Sequence, residues 1–234
     1  MAGYEAKLPI ILIAWFIANF VPHIVVFVLT RKVYYQLSPR SAVAAEASIM
    51  LLNLILPIAL LLHSSPGCEV MQRLGWRWSG WRVVWAGSGG FIVSMFVLYI
   101  IRELIGEPIS SQGQKYSPGE LAMAITMLLT VTAFGEETMF RGYIQTELTE
   151  RYGASVGIPM AAVLFGLRHL PMDLYNGITQ KAPPSAWASR MLQLYLVALI
   201  LGIARHWAGS TWASWTIHEG ILTFIVVNIL RRCR

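Results

Sequence analysis

Charge is what this sequence has least of. Only 13% of the 234 residues are Asp, Glu, Lys or Arg, against 56% hydrophobic ones, and the mean hydropathy is +0.58. That balance excludes a soluble globule and implies a polytopic membrane protein. Cysteine is nearly absent. Cys68 and Cys233 are the two present, too few and too far apart for a disulfide framework or a zinc knuckle. No His-Glu-x-x-His pair occurs, and no repeat, low-complexity tail or second soluble domain is visible. The net charge of +6 is carried by scattered residues that collect at Arg231, Arg232 and Arg234. Such charges set topology and touch anionic lipid, so a nucleic-acid partner is not expected.

What the chain has in quantity is apolar runs near the roughly 20 residues that cross a bilayer. Spans are expected at Leu8–Thr30, Ala42–Leu62, Val83–Ile101, Glu120 to about Tyr143, Met191–Ala208 and Thr211–Ile229, with a shorter run at Val156–Leu170. The expected fold is an all-α bundle of about seven to eight transmembrane helices forming a single domain over 1–234. The first span reads as a membrane anchor closed by Arg31 and Lys32 and not as a cleaved signal, with a kink at Pro22-His23. The segment 63–82, with Trp76, Trp78 and Trp81 among arginines, reads as an interfacial belt. Residues 102–119 and 172–190 read as loops, the second a candidate lid, and Gly153 as a helix stop. Lys and Arg distribution favours a cytoplasmic C-terminus.

Within this apolar background Leu121–Phe134 carries no charge, and Glu136, Glu137 and Arg141 follow it directly. Ionisable side chains at such a depth mark function by default. On a helix Glu137 and Arg141 lie four apart on one face, whereas Glu136 is rotated by about 100°. One carboxylate is therefore expected to pair with the arginine while the other stays free for chemistry. His169 ends one apolar run four residues after Phe165, and His218 lies inside the last.

These residues carry a resemblance. The chain resembles the CPBP family of intramembrane proteases, which includes CAAX prenyl endopeptidases and bacteriocin-processing enzymes. Glu-Glu-x-x-x-Arg stands at Glu136, Glu137 and Arg141, and Phe-x-x-x-His at Phe165 and His169. The third motif, His followed four residues on by Asn or Asp, is half present, because His218 is followed by Leu222. The likeness spans about residues 120–225. It implies an intramembrane glutamic-type endopeptidase acting on a membrane-anchored or prenylated peptide or protein, with Glu136, His169 and His218 catalytic and Glu137, Arg141 and Phe165 supporting. Glu136 is then the base for a water nucleophile, His169 orients that water, and His218 donates to the oxyanion.

No cofactor is expected. The alternative is a zinc ion on Glu136, His169 and His218, with Glu137 as a further donor. A non-proteolytic membrane protein of the same fold, either a bacteriocin-immunity factor or a partner-binding scaffold, is the reading from another class. The compact chain is compatible with a bacterial cytoplasmic membrane. A transporter is disfavoured because the polar spans show no paired inverted pattern.

Overall fold

The computed structural model describes residues 7–30, 37–64, 67–109 and 117–232. Its ordered elements are all helical: α1 (Leu8–Thr30, interrupted at Phe20), α2 (Pro39–Ser64), the short α3 (Gly67–Arg73), α4 (Trp81–Ile105), α5 (Pro118–Tyr152), α6 (Ala154–Arg168), α7 (Leu170–Thr179), α8 (Pro184–Ala208) and α9 (Thr211–Arg232). The expected stop at Arg31-Lys32, the loop signals at Ser65-Pro66 and Ser110 to Gly113, and Cys233 lie outside the described residues.

Among the described residues five helices are long and apolar enough to cross a membrane, namely α1, α2, α4, α5 and α8, and six if the bent pair α6–α7 is one span. The seven expected spans are thus fewer by this measure. The remaining expected span, Thr211–Ile229, is the helix α9. Large apolar side chains such as Ile13, Leu29, Ile92 and Phe96 face outward. Asn19, Asn53, Glu136, Glu137 and Arg141 are buried inside. A bundle with its polar groups inward and its oily ones outward suits hydrocarbon as solvent.

The long helix α5 begins with local chemistry. Ser117 Oγ accepts from the Glu120 backbone N–H, and Glu120 Oε2 accepts from the Ser117 N–H at 3.1 Å. This capping box, with Pro118 in the first turn, satisfies donors that have no partner inside the helix. Further along, α5 widens into π geometry twice, at Leu128–Thr132 and Thr138–Ile144, leaving Ala133–Glu137 as one α turn between them. The Gln145 N–H accordingly reaches Phe140 O, five residues back. Such widenings rotate the side chains that follow, and they recur at functional sites. Gly153, at φ 77°, ends α5 and opens α6, as its position in the sequence implied.

One expected loop is helical. Residues 172–190 form most of α7 and the start of α8, separated by a short turn. Pro171 and Pro184 stand in first turns, where proline fits without loss of a hydrogen bond, so they open helices here and do not break them. Gly177, read as part of a turn, instead admits a neighbour: a Cβ there would lie 2.1 Å from Trp187 Cζ2. Asp173 clamps α7 to α8, accepting from Arg190 Nε with both carboxylate oxygens at 3.2 Å.

The tryptophan-rich segment is a belt only in part. Trp78 and Trp81 are exposed, but Trp76 is buried, stacked on Phe134 at 4.4 Å and donating from Nε1 to Thr138 Oγ1 at 3.0 Å. The same connector clasps the α8–α9 turn. Thr211 Oγ1 donates to Leu74 O at 2.6 Å, and the Thr211 N–H donates to Gly75 O at 2.8 Å. That clasp fixes the start of α9, and with it the depth of His218.

Close approach of α5 to α2 fixes the acidic pair. A Cβ on Gly135 would lie 2.8 Å from the Met50 carbonyl oxygen, and backbone cannot yield as a side-chain tip can. Gly135→Ala is therefore expected to cost about 1–3 kcal/mol, read as a lower melting temperature in detergent. Gly119→Ala, where nothing among the described residues lies within 4 Å, serves as the control with little effect.

Candidate active site

Three parts of the fold bring the site together. From α5 come Glu136, Glu137 and Arg141, from the α6–α7 bend Phe165, Arg168 and His169, and from α9 His218. The bend is 46°, with His169 at its corner.

Glu137 and Arg141 pair as their spacing implied. Glu137 Oε1 lies 3.2 Å from Arg141 Nη1, with the side chains 0% and 2% exposed. The guanidinium also donates to Ala198 O at 3.4 Å and sits 4.4 Å from the centre of the Phe165 ring. An ion pair, a carbonyl and an aromatic face together compensate a charge that water cannot reach. Glu137 Oε1 also accepts from His218 Nδ1 at 2.9 Å. A carboxylate only accepts, so Nδ1 carries the proton.

Glu136 departs from the expectation of a free carboxylate. It is 3% exposed, and Oε1 accepts a hydrogen bond from Arg168 Nη1. Its other oxygen, Oε2, has no hydrogen-bond partner among the described residues and lies 3.7 Å from His218 Nε2. His218 thus stands between the two carboxylates, one on each ring nitrogen. The pairing was not foreseen because nothing in one sequence showed that Arg168, at the end of α6, would fold across to α5. Its place beside His169 was the one available signal.

His169 lies near this group without touching a carboxylate. Its Nδ1 is 3.0 Å from Phe165 O, a carbonyl, which fixes the proton on Nδ1 and leaves Nε2 as an acceptor in the neutral ring. Phe165 joins the two histidines, its ring centre lying 5.1 Å from that of His169 and 6.1 Å from that of His218. Leu222 is buried one turn beyond His218 on the same helix.

The donor set was tested against a metal. Among the described residues no three His, Cys, Asp or Glu side chains are grouped so as to hold an ion. Glu136 Oε1 is turned to Arg168, and Glu137 Oε1 to Arg141 and His218.

Residues 118–223 match the protein family described as Type II CAAX prenyl endopeptidase Rce1-like. No curated protein and no solved structure gives a significant match to the chain. The matched segment runs from the capping box of α5 through the acidic pair, the α6–α7 bend and His218. Over those residues the chain is similar to the CAAX prenyl endopeptidases.

Proposed function

We propose that this protein is an intramembrane endopeptidase that hydrolyses a peptide bond of a membrane-associated or lipid-modified substrate by a metal-free, glutamate-activated water. The observation that carries the reading is Glu136 Oε2, a buried carboxylate oxygen with no hydrogen-bond partner among the described residues, facing His218 Nε2. An orphaned buried acceptor is costly unless chemistry uses it.

In this reading Glu136 Oε2 takes a proton from water while the water oxygen bonds to the scissile carbonyl carbon. The carbonyl π pair moves to oxygen. On collapse the C–N bond breaks, and Glu136 returns its proton to the leaving nitrogen. His169 orients the water through Nε2, its Nδ1 being engaged by Phe165 O. His218 stabilises the oxyanion through Nε2. Because Nδ1–H is committed to Glu137, that donation needs the doubly protonated ring, whose charge the carboxylates on either side balance. Glu137, Arg141 and Phe165 hold His218 and the helix in register. The family description supports a prenylated substrate.

The test is cleavage of a panel of prenylated and transmembrane-anchored peptides by purified protein, wild type beside Glu136→Ala, with and without a strong chelator. Cleavage lost in the variant and unchanged by chelator is the expected result. Retained cleavage in Glu136→Ala defeats the reading, and loss on chelation of the wild type transfers it to the zinc alternative.

Leu222 favours one second reading. An apolar side chain in place of an oxyanion donor suits a non-proteolytic scaffold that binds a partner through the same residues, and loss of one such donor costs about 10²–10³ in rate. For the protease, Leu222→Asn is expected to leave cleavage intact or make it faster. Gain of cleavage in Leu222→Asn from an inert wild type identifies the scaffold.

A further inference from the structure

Arg168 has more partners than an ion pair needs. Besides Glu136, its Nε donates to Asn19 Oδ1 at 3.1 Å, and its Nη2 lies 3.7 Å from Glu46 Oε1. Asn19 is itself held. Its Nδ2 donates to Trp15 O at 2.8 Å, and its Oδ1 also accepts from Asn53 Nδ2 at 3.4 Å. Asn53 in turn donates to Ile49 O at 2.9 Å. Asn19 and Asn53 are 1% and 0% exposed, so no bulk water can replace these bonds.

The chain of contacts therefore runs from α1 and α2, both outside the matched segment 118–223, through α6 to one oxygen of Glu136. A guanidinium is a rigid planar fork, and fixing Nε at one edge fixes where Nη1 points. Once Nη1 holds Glu136 Oε1, the carboxylate plane is set and Oε2 faces His218.

We propose that Arg168 is a positioning residue for Glu136, with Asn19 as its anchor, so that the two N-terminal helices aim the carboxylate that the matched segment supplies. The proposal rests on the reading of Glu136 as the base. A simpler role, charge neutralisation of a buried carboxylate, makes a different forecast. Neutralisation needs only a cation, so Arg168→Lys would retain full activity and Asn19 would be dispensable. Positioning needs the fork and its anchor.

The experiment uses the full chain purified in detergent, with a peptide that the wild type cleaves. Supporting side chains of this kind typically contribute 10–100-fold, and a small misplacement of a reacting group costs about 10². Arg168→Gln is expected to lower kcat about 10²-fold, Arg168→Lys about 10-fold and Asn19→Ala about 5–10-fold, each with KM within about 2-fold of wild type. Asn19→Asp keeps the acceptor and is expected to stay within about 2-fold in kcat.

A second readout needs no substrate. Labelling of Glu136 by an apolar carbodiimide is expected to rise in Asn19→Ala as well as in Arg168→Gln, because a freed carboxylate reacts more readily. Wild-type kcat and wild-type labelling in Asn19→Ala, with full rescue by Arg168→Lys, overturn the proposal in favour of simple neutralisation. Full cleavage by Glu136→Ala defeats the catalytic reading itself. An inert Glu136→Ala beside an unimpaired Arg168→Gln overturns positioning alone.

Discussion

Glu136→Gln is expected to reduce kcat by about 10³-fold or more while leaving the protein folded. A positioned general base contributes about 10²–10⁴. The amide keeps the shape of the side chain and still offers Arg168 an oxygen in place of Oε1, but it cannot take a proton from water. Glu136→Ala removes both functions, so its loss of rate alone does not separate proton transfer from shape. Comparison of the two variants by single-turnover cleavage, with melting temperature as the structural check, makes that separation. A Glu136→Gln protein that cleaves at the wild-type rate rules out proton transfer to this carboxylate.

Glu137→Ala is expected to have the largest effect on stability. It strands the Arg141 guanidinium, 2% exposed, with the Ala198 carbonyl and the Phe165 face as its remaining neighbours. It also deprives His218 Nδ1 of its acceptor. Breaking a buried pair from one side costs about 3–5 kcal/mol, whereas removing both charges costs far less because no orphan remains. The double variant Glu137→Gln, Arg141→Met is therefore expected to melt closer to wild type than Glu137→Ala, although with activity impaired through His218. Thermal unfolding of the three proteins in one detergent checks this ordering. A single variant no less stable than the double would show that the pair is not the structural tie its burial implies.

These two effects divide the adjacent glutamates by environment. Each has a guanidinium and, among the described residues, one oxygen without a hydrogen bond, yet Glu137 Oε1 is shared by two partners from α5 and α9, while Glu136 Oε1 is held by Arg168 from α6. One turn of α-helix between two π stretches presents both carboxylates to the interior. Their difference arises from the elements that meet them there.

The sequence by itself determined the all-helical membrane architecture, because an apolar run of about 20 residues has few other ways to satisfy its backbone in hydrocarbon. It also determined the Glu137–Arg141 pair, since a spacing of four on a helix is local geometry, and the capping box that starts α5. The motifs at Glu136, Phe165 and His218 were legible for the same reason. Each is a polar or aromatic signal against a uniform background.

The tertiary structure decided the rest. The helices at 170–179 and 184–190 were hidden by prolines and an Asn-Gly pair whose meaning depends on whether they open a helix or close one. Trp76 was hidden because an aromatic residue near a membrane edge can face lipid or core with equal ease. The tether from Asn19 through Arg168 to Glu136 joins residues 149 and 32 positions apart. Such separations leave no periodicity to read. Only the packing of α1, α5 and α6 brings a guanidinium, an amide and a carboxylate within hydrogen-bonding reach, and the cost of burying each without the others is what holds them together.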